Sequence, residues 1–288
     1  MPEPTRSDRA RMLVSCPDRV GLVAAISQFL YERGANIVEF DQHTTGSESD
    51  MFFMRLEFEL PELSDRLRGL VDEFAPIASR LSMDWRITPA DRKQRVAIFV
   101  SRQDHCLLEL LWQWRSGDLR ADLFAVISNH EDLRKEVEAY GVRFHHVPVT
   151  PQAKVEAERA EFELVGSADL IVLARYMQIL SSDFCARFPN RVINIHHSFL
   201  PAFVGANPYA QAFQRGVKLI GATAHYVTTE LDAGPIIEQD VQRVGHRDDL
   251  EDLKRLGSHI ERVVCARAVK WHLEDRVLIH RNRTVVFR

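Results

Sequence analysis

RVAIFVS, Arg95–Ser101, is an apolar run that does not alternate with polar residues. A strand with one wet face alternates. A strand covered on both faces reads as an unbroken hydrophobic run, the mark of a parallel sheet between helix layers. The downstream sequence has the matching rhythm. The helical segment CLLELLWQWRSG leads to strand LFAVISN, helix HEDLRKEVEAYG and short strand FHHVPV. The charged helix KVEAERAEFELVGS, strand LIVLA, helix SSDFCARF and strand RVINI come next. Strands alternating with helices over short links predict an α/β unit with a mostly parallel sheet and helices on both faces. Two more strands, LIGATAHYVT and PIIEQDVQRV, a long helix over 249–275 and a last strand, RTVVF, complete it.

Upstream the texture differs. TPADRKQ, Thr88–Gln94, is polar and carries a proline, as a linker does. Before it, RMLVSC is a strand. VGLVAAISQFLYERGA is a helix with Leu22, Ala25, Ile26, Phe29 and Leu30 on one face and Gly34 as its stop. NIVEFDQHTT and MFFMRLEFEL form two strands around the turn GSESD. In the second of these, Met54, Leu56, Phe58 and Leu60 make an apolar side opposite Phe53, Arg55, Glu57 and Glu59. The helix PELSDRLRGLVDEFAPIASRL and the strand SMDWRI close the segment. The order β-α-β-β-α-β is the ferredoxin-like split unit. The expected organisation is a first domain over 9–87, a linker over 88–94 and a second domain over 95–288, which suits a chain of 288 residues.

Bulk properties narrow the function classes. A formal net charge of -4 gives no electrostatic footprint for nucleic acid. Apolar runs such as LIVLA, Leu170–Ala174, are far too short to span a membrane, and MPEPTRSDRAR lacks the apolar core of a signal peptide. Cys16, Cys106, Cys185 and Cys265 are scattered with no CxxC spacing, which fits a reduced, cytoplasmic protein without a disulfide framework.

The chemistry gathers at INIHHSFLP, Ile193–Pro201, where an apolar strand ends in Asn194, His196 and His197. Ligands of open α/β sheets bind beyond the carboxyl ends of strands. Asn194 and His196, two apart, share a face, and His197 points the other way. A second polar intrusion lies in GATAHYVTTELDAGPII, where His225 interrupts a strand and Asp232 begins a DAGP turn. An amide and an imidazole can donate to a developing oxyanion, and a carboxylate can orient the imidazole or move a proton. Metal binding is the rival, since His and Asp also ligate zinc. Adjacent histidines on a strand diverge, and neither HExxH nor HxH occurs, so no metal is expected. A structural turn remains the plain alternative for Asp232.

INIHHSFLP followed by GATAHYVTTELDAGPIIEQD resembles the formyltransferase fold of folate enzymes, a Rossmann-like domain. The resemblance covers 95–288 and implies that Asn194, His196 and Asp232 are catalytic. RYMQILSSDF, Arg175–Phe184, resembles the family's pterin-binding loop, which implies folate contacts from Met177, Gln178, Ile179 and Leu180, joined by Val227, Thr228 and Leu231. CPDRVGLVAAISQFLYERGANI resembles the opening of the ACT domain, whose first strand-to-helix loop often receives an amino-acid effector. Here that loop is Asp18, Arg19, Val20, Gly21 and Leu22. ACT plus formyltransferase in one chain is the architecture of the formyltetrahydrofolate deformylase family.

That resemblance implies hydrolysis of 10-formyltetrahydrofolate to formate and tetrahydrofolate, with no cofactor beyond the substrate, and formate supply to purine synthesis. Transferases of this fold hold an acceptor's phosphate on a glycine-rich loop after the first strand. Here that place reads SRQDHCLLELL, Ser101–Leu111, which has no glycine and carries Asp104. Water is therefore the expected acceptor, and His105 is expected only to begin a helix. A folate-dependent transferase with an unidentified acceptor is the alternative. The ACT resemblance further implies a possible amino-acid effector, glycine or methionine among the options, and a homodimer or homotetramer.

Overall fold

The computed structural model describes residues 6–46, 50–202 and 207–288. The expected turn at 46–50 and the middle of HHSFLPAFVGANPY lie partly outside the described residues. The chain divides into two compact units.

The first unit carries β1 (Arg9–Pro17), α1 (Leu22–Glu32), β2 (Asn36–Thr44), β3 (Met51–Glu59), α2 (Leu63–Arg80) and β4 (Asp84–Pro89). Its antiparallel sheet has the order β2-β3-β1-β4, the ferredoxin-like arrangement expected from the element order. Alternate residues of β1 and β3 (Met12, Val14, Met54, Leu56) pack against Ile26, Phe29 and Leu30 of α1 and Phe74 of α2. The other side of β3 departs from expectation. Phe53 and Arg55 are also buried, although alternation makes theirs the polar side.

The cause lies at the far end of the chain. Glu274–His280 and Val285–Arg288 belong to the first unit, so the second domain does not extend unbroken to residue 288. Arg55 donates to the Glu274 carbonyl at 3.3 Å, and its guanidinium meets Glu39 at 2.5 Å. Asp275 pairs with Arg86 at 3.0 Å, and Arg276 pairs with Glu39 at 3.2 Å. The Phe53 ring meets His280 edge-on. The expected linker is also shorter than 88–94, because β4 runs through Pro89 and β5 begins at Gln94.

The second unit contains β5 (Gln94–Val100), α3 (His105–Ser116), β6 (Ala121–Ser128), α4 (Arg134–Ala139), β7 (Phe144–His146) and α5 (Lys154–Val165). It continues with β8 (Leu170–Leu173), α6 (Ser182–Arg187), β9 (Val192–His196), α7 (Pro208–Gln214), β10 (Leu219–Tyr226), β11 (Ile236–Arg243) and α8 (Leu250–Leu273). The sheet order is β11-β10-β9-β8-β5-β6-β7. The strands from β9 to β7 are parallel, and β10 and β11 run antiparallel. β5 is buried from Val96 to Val100, as its unbroken apolar run demands. Ala97 and Phe99 face a cluster with Ile171, Phe184 of α6 and Val165 of α5. Period-two alternation turns Val96 and Ile98 to the opposite side. α8 packs on β9, β10, β11 and α3. The helix α7 and the strand β12 (Val277–His280), which pairs with β13 (Arg283–Val286), had no expectation in the sequence.

Candidate active site

The polar residues at the end of β9 converge because of strand register. His225 of β10 lies directly opposite Asn194 of β9. Residues opposite each other on antiparallel strands share a face, and the Asn194 amide donates to His225 Nε2 at 3.2 Å. His225 Nδ1 faces the Tyr226 carbonyl at 3.0 Å. A carbonyl only accepts, so Nδ1 carries a proton and, in the neutral ring, Nε2 is the acceptor that Asn194 needs.

Asp232 arrives from the turn after β10, in a left-handed conformation with φ 54°. Gly234 lets that turn close. A β-carbon there would lie 1.8 Å from the Tyr226 carbonyl oxygen, so only glycine permits the approach. Tyr226 N–H to Pro235 O at 2.9 Å and Asn282 to Ala233 O at 2.9 Å fix the turn on either side. Asp232 then meets His196 Nδ1 at 3.2 Å and His225 Nε2 at 3.6 Å. Burial alone would raise its pKa. The hydrogen bond from His196 Nδ1 outweighs that and holds the carboxyl well below the usual carboxylate range, so it is an anion at neutral pH.

His196 is 5% exposed, and its Nε2 is buried with no hydrogen-bond partner. With Nδ1 committed to Asp232, Nε2 is the nitrogen left without a partner. His196 lines a cavity of about 420 Å³ together with Asn194 and Asp232. Met177, Gln178, Ile179, Leu180, Val227, Thr228 and Leu231 lie on the wall of that same cavity. Met177, Ile179 and Leu231 are each more than half exposed, which makes its rim apolar. A largely apolar pocket with a few convergent polar groups is the ordinary form of a small-molecule site.

His197 also lines the cavity, and its ring lies tilted toward Tyr209, with centroids 5.9 Å apart. Burial, then the charge of Arg175, pushes its pKa down to about 3, so this ring is neutral. Beside Tyr209 lies a group that sequence reasoning missed. Glu261 of α8 is 1% exposed and accepts from His105 Nε2 at 2.8 Å and from Tyr209 Oη at 2.5 Å. Arg175 Nε lies 3.4 Å from the same carboxylate and donates to Gln103 at 2.7 Å. His105 thus does more than open α3. A signal was present: Glu261 sits at four-residue steps from Gly257 and Cys265 on the buried stripe of α8, where an unpaired carboxylate is not tolerated.

His105, Cys106 and Glu261 lie close enough together to suggest a cation site. Their chemistry suits it poorly. Burial, then Cys265, raises the Cys106 pKa well above that of a free thiol, and Glu261 is already occupied by His105, Tyr209 and Arg175.

The expected effector loop joins β1 to α1. Asp18 N–H bonds the Asp50 carbonyl at 2.9 Å, Val20 is fully exposed and Gly21 caps α1. Leu22 is 2% exposed in the core, so its side chain is not presented on the surface.

Comparison with known proteins identifies the family. The formyl transferase family model matches residues 94–269, and the ACT domain model matches 10–72. A formyltetrahydrofolate deformylase of Bacillus subtilis is 55% identical over 282 residues, covering 97% of this chain and 94% of the relative. The chain belongs to the formyltetrahydrofolate deformylase family. A crystal structure of the deformylase from Pseudomonas syringae pv. tomato superposes with a TM-score of 0.93 at 52% identity, covering 97% of this chain and 94% of that one. Glycinamide ribonucleotide transformylase 1 from Symbiobacterium toebii is 31% identical with a TM-score of 0.64, covering 68% of this chain and 95% of that one. The expected pairing of an ACT domain with a formyltransferase domain is that of the deformylase family.

Proposed function

We propose that this chain hydrolyses 10-formyltetrahydrofolate to formate and tetrahydrofolate, with water as acceptor and no cofactor beyond the substrate. The observation that carries the reading is the Asn194–His196–Asp232 set at the floor of the cavity, with His196 Nε2 buried and unpartnered. The pterin lies along Met177–Leu180, Val227, Thr228 and Leu231. Water attacks the formyl carbon as His196 Nε2 takes its proton, and Asp232 stabilises the imidazolium that forms. Asn194 has two amide N–H groups; one serves His225, and the other donates to the tetrahedral oxyanion. The imidazolium returns the proton to the arylamine nitrogen as the C–N bond breaks. The loop after β5 supports water over a larger acceptor, since Gln103 and His105 are tied into the Glu261 network.

The test is incubation with 10-formyltetrahydrofolate in the absence of any amine, measuring formate and tetrahydrofolate. Both accumulate in equal amounts with the wild type. His196→Ala and Asp232→Asn fall by a factor of about 10²–10⁴, with far-UV dichroism unchanged. Formyl transfer to an added amine outrunning formate release would overturn the reading in favour of a transferase.

In cells the released formate serves purine synthesis, and the reaction rebalances the one-carbon pool in the cytoplasm. Four buried free cysteines support a reducing compartment. Among the described residues, no helix is long and apolar enough to cross a membrane. The ACT unit supports an amino-acid effector at Asp18–Gly21 and a dimeric or tetrameric assembly. Titration with glycine or methionine is expected to shift turnover or melting temperature. No shift with any amino acid would leave that loop without an effector role.

A further inference from the structure

We infer that Arg175 forms an anion subsite in the catalytic cavity, which receives the carboxylate of the formate product. The inference rests on the hydrolytic reading and extends it to product handling. The reaction adds water across the C–N bond, giving a secondary amine, formate and a proton. A neutral formyl group thereby becomes an anion within the cavity that holds Asp232, already negative. An unpaired buried anion is expensive, so a cation is required where the product leaves.

Arg175 is the only lysine or arginine among the described residues lining the cavity. Its side chain is 7% exposed, and Nη1 is buried without a hydrogen-bond partner. The other end of the group is fixed, with Nε held by Gln103 at 2.7 Å and by Glu261 at 3.4 Å. Glu261 is shared with His105 and Tyr209, so it does not saturate the guanidinium. His197, which also lines the cavity, is kept neutral and cannot supply the charge. The backbone points the same way. Arg175 has φ 63°, a left-handed conformation that is unfavourable for a non-glycine residue. Such strain persists where surrounding structure fixes a side chain for a task. A planar guanidinium with a free N–H matches a carboxylate better than an ammonium does.

The test uses the full-length chain and 13C-formate. Line broadening of the formate signal is titrated against wild type, Arg175→Gln and Arg175→Lys, with turnover on 10-formyltetrahydrofolate measured in the same preparations. Wild type is expected to broaden the signal and to be inhibited by added formate. Arg175→Gln is expected to weaken formate binding at least tenfold, and Arg175→Lys less, with retained fold checked by dichroism. Arg175→Lys also decides the matter should Arg175→Gln fail to fold. Equal formate binding in wild type and either folded variant would overturn the inference. So would a wild type that releases formate from the folate yet neither binds nor is inhibited by it; that result leaves the hydrolytic reading standing. A wild type that releases no formate would remove the hydrolytic reading itself and the inference with it.

Discussion

At the scale of single residues, the meeting of Asn194 and His196 in one cavity was legible because it follows from period two. Asn194 and His196 share a face by alternation, and the register of β9 with β10 adds His225 to that pair. Glu261 could be read as a buried carboxylate from the α8 stripe, but its pairing with Arg175 could not, because 86 residues separate them and no local pattern announces a long-range ion pair. Glu161 teaches the same lesson and yields a pH prediction. It is a charged residue in a charged helix, yet it is 2% exposed and accepts from Tyr176 Oη at 2.5 Å behind the Met177–Leu180 loop. Burial raises its pKa to about 7; the Tyr176 hydrogen bond opposes this and the charge of Glu158 adds to it. The unfolded value is about 4.3. A folded pKa above the unfolded one means that the native state binds more protons between those values. Stability is therefore full below about pH 4.3 and falls until the pH passes about 7. Glu161→Gln keeps an acceptor for Tyr176 and removes the titration. Thermal unfolding should find it more stable than wild type at pH 8, by an amount on the order of 3 kcal/mol at about 1.4 kcal/mol per pH unit. The two proteins should converge near pH 4. A constant difference across that range would show that Glu161 does not titrate there.

At the scale of elements, most strands and helices were legible from apolar rhythm, since β5, β8 and β9 are buried on both faces and α1 and α2 on one. The exceptions have physical causes. The helix α7 is a single short segment beginning at Pro208, with no repeat of its apolar pattern to reveal it. The strand β12 depends on pairing with β13 rather than on any periodicity of its own. The turn carrying Asp232 was legible as a turn, but not as a device for placing a carboxylate. That function depends on Gly234, whose missing side chain makes room for the Tyr226 carbonyl. Gly234→Ala should push the turn off β10 and carry Asp232 away from His196. A displacement near 1 Å costs on the order of 10² in rate. Formate release should fall by about that factor, while the far-UV spectrum stays native. Unchanged kcat would mean that the turn relaxes without moving the carboxylate.

At the scale of the whole molecule, the texture of the sequence changes across 88–94, and the two compact units divide between Arg92 and Lys93. The return of the chain's end has no such signal. Arg55 looks like part of the solvent face of an alternating strand, and only the segment from Glu274 onward explains its 1% exposure. Alternation within a strand reports which residues share a face. It cannot report that a distant segment will cover the polar one. The energetic consequence is specific. Arg55 is a buried cation satisfied by Glu39 and by the Glu274 carbonyl, and removing one member of a buried pair costs about 3–5 kcal/mol. The lower end applies, because the Glu39 side chain is 39% exposed and water can take over part of the lost interaction. Arg55→Leu keeps apolar bulk and removes the charge, so it tests the pairing more cleanly than a truncation to alanine. Hydrogen exchange by mass spectrometry should show faster exchange throughout β1–β4 together with peptides from 274–280 and 285–288. The parallel strands of the second unit, β5, β6 and β8, should keep wild-type protection. The two ends of the chain exchanging as one cooperative unit is the signature of a discontinuous first unit. If the 274–288 peptides instead track α8 and ignore the substitution, the segment draws its stability from the second unit and the pairing with Arg55 is incidental.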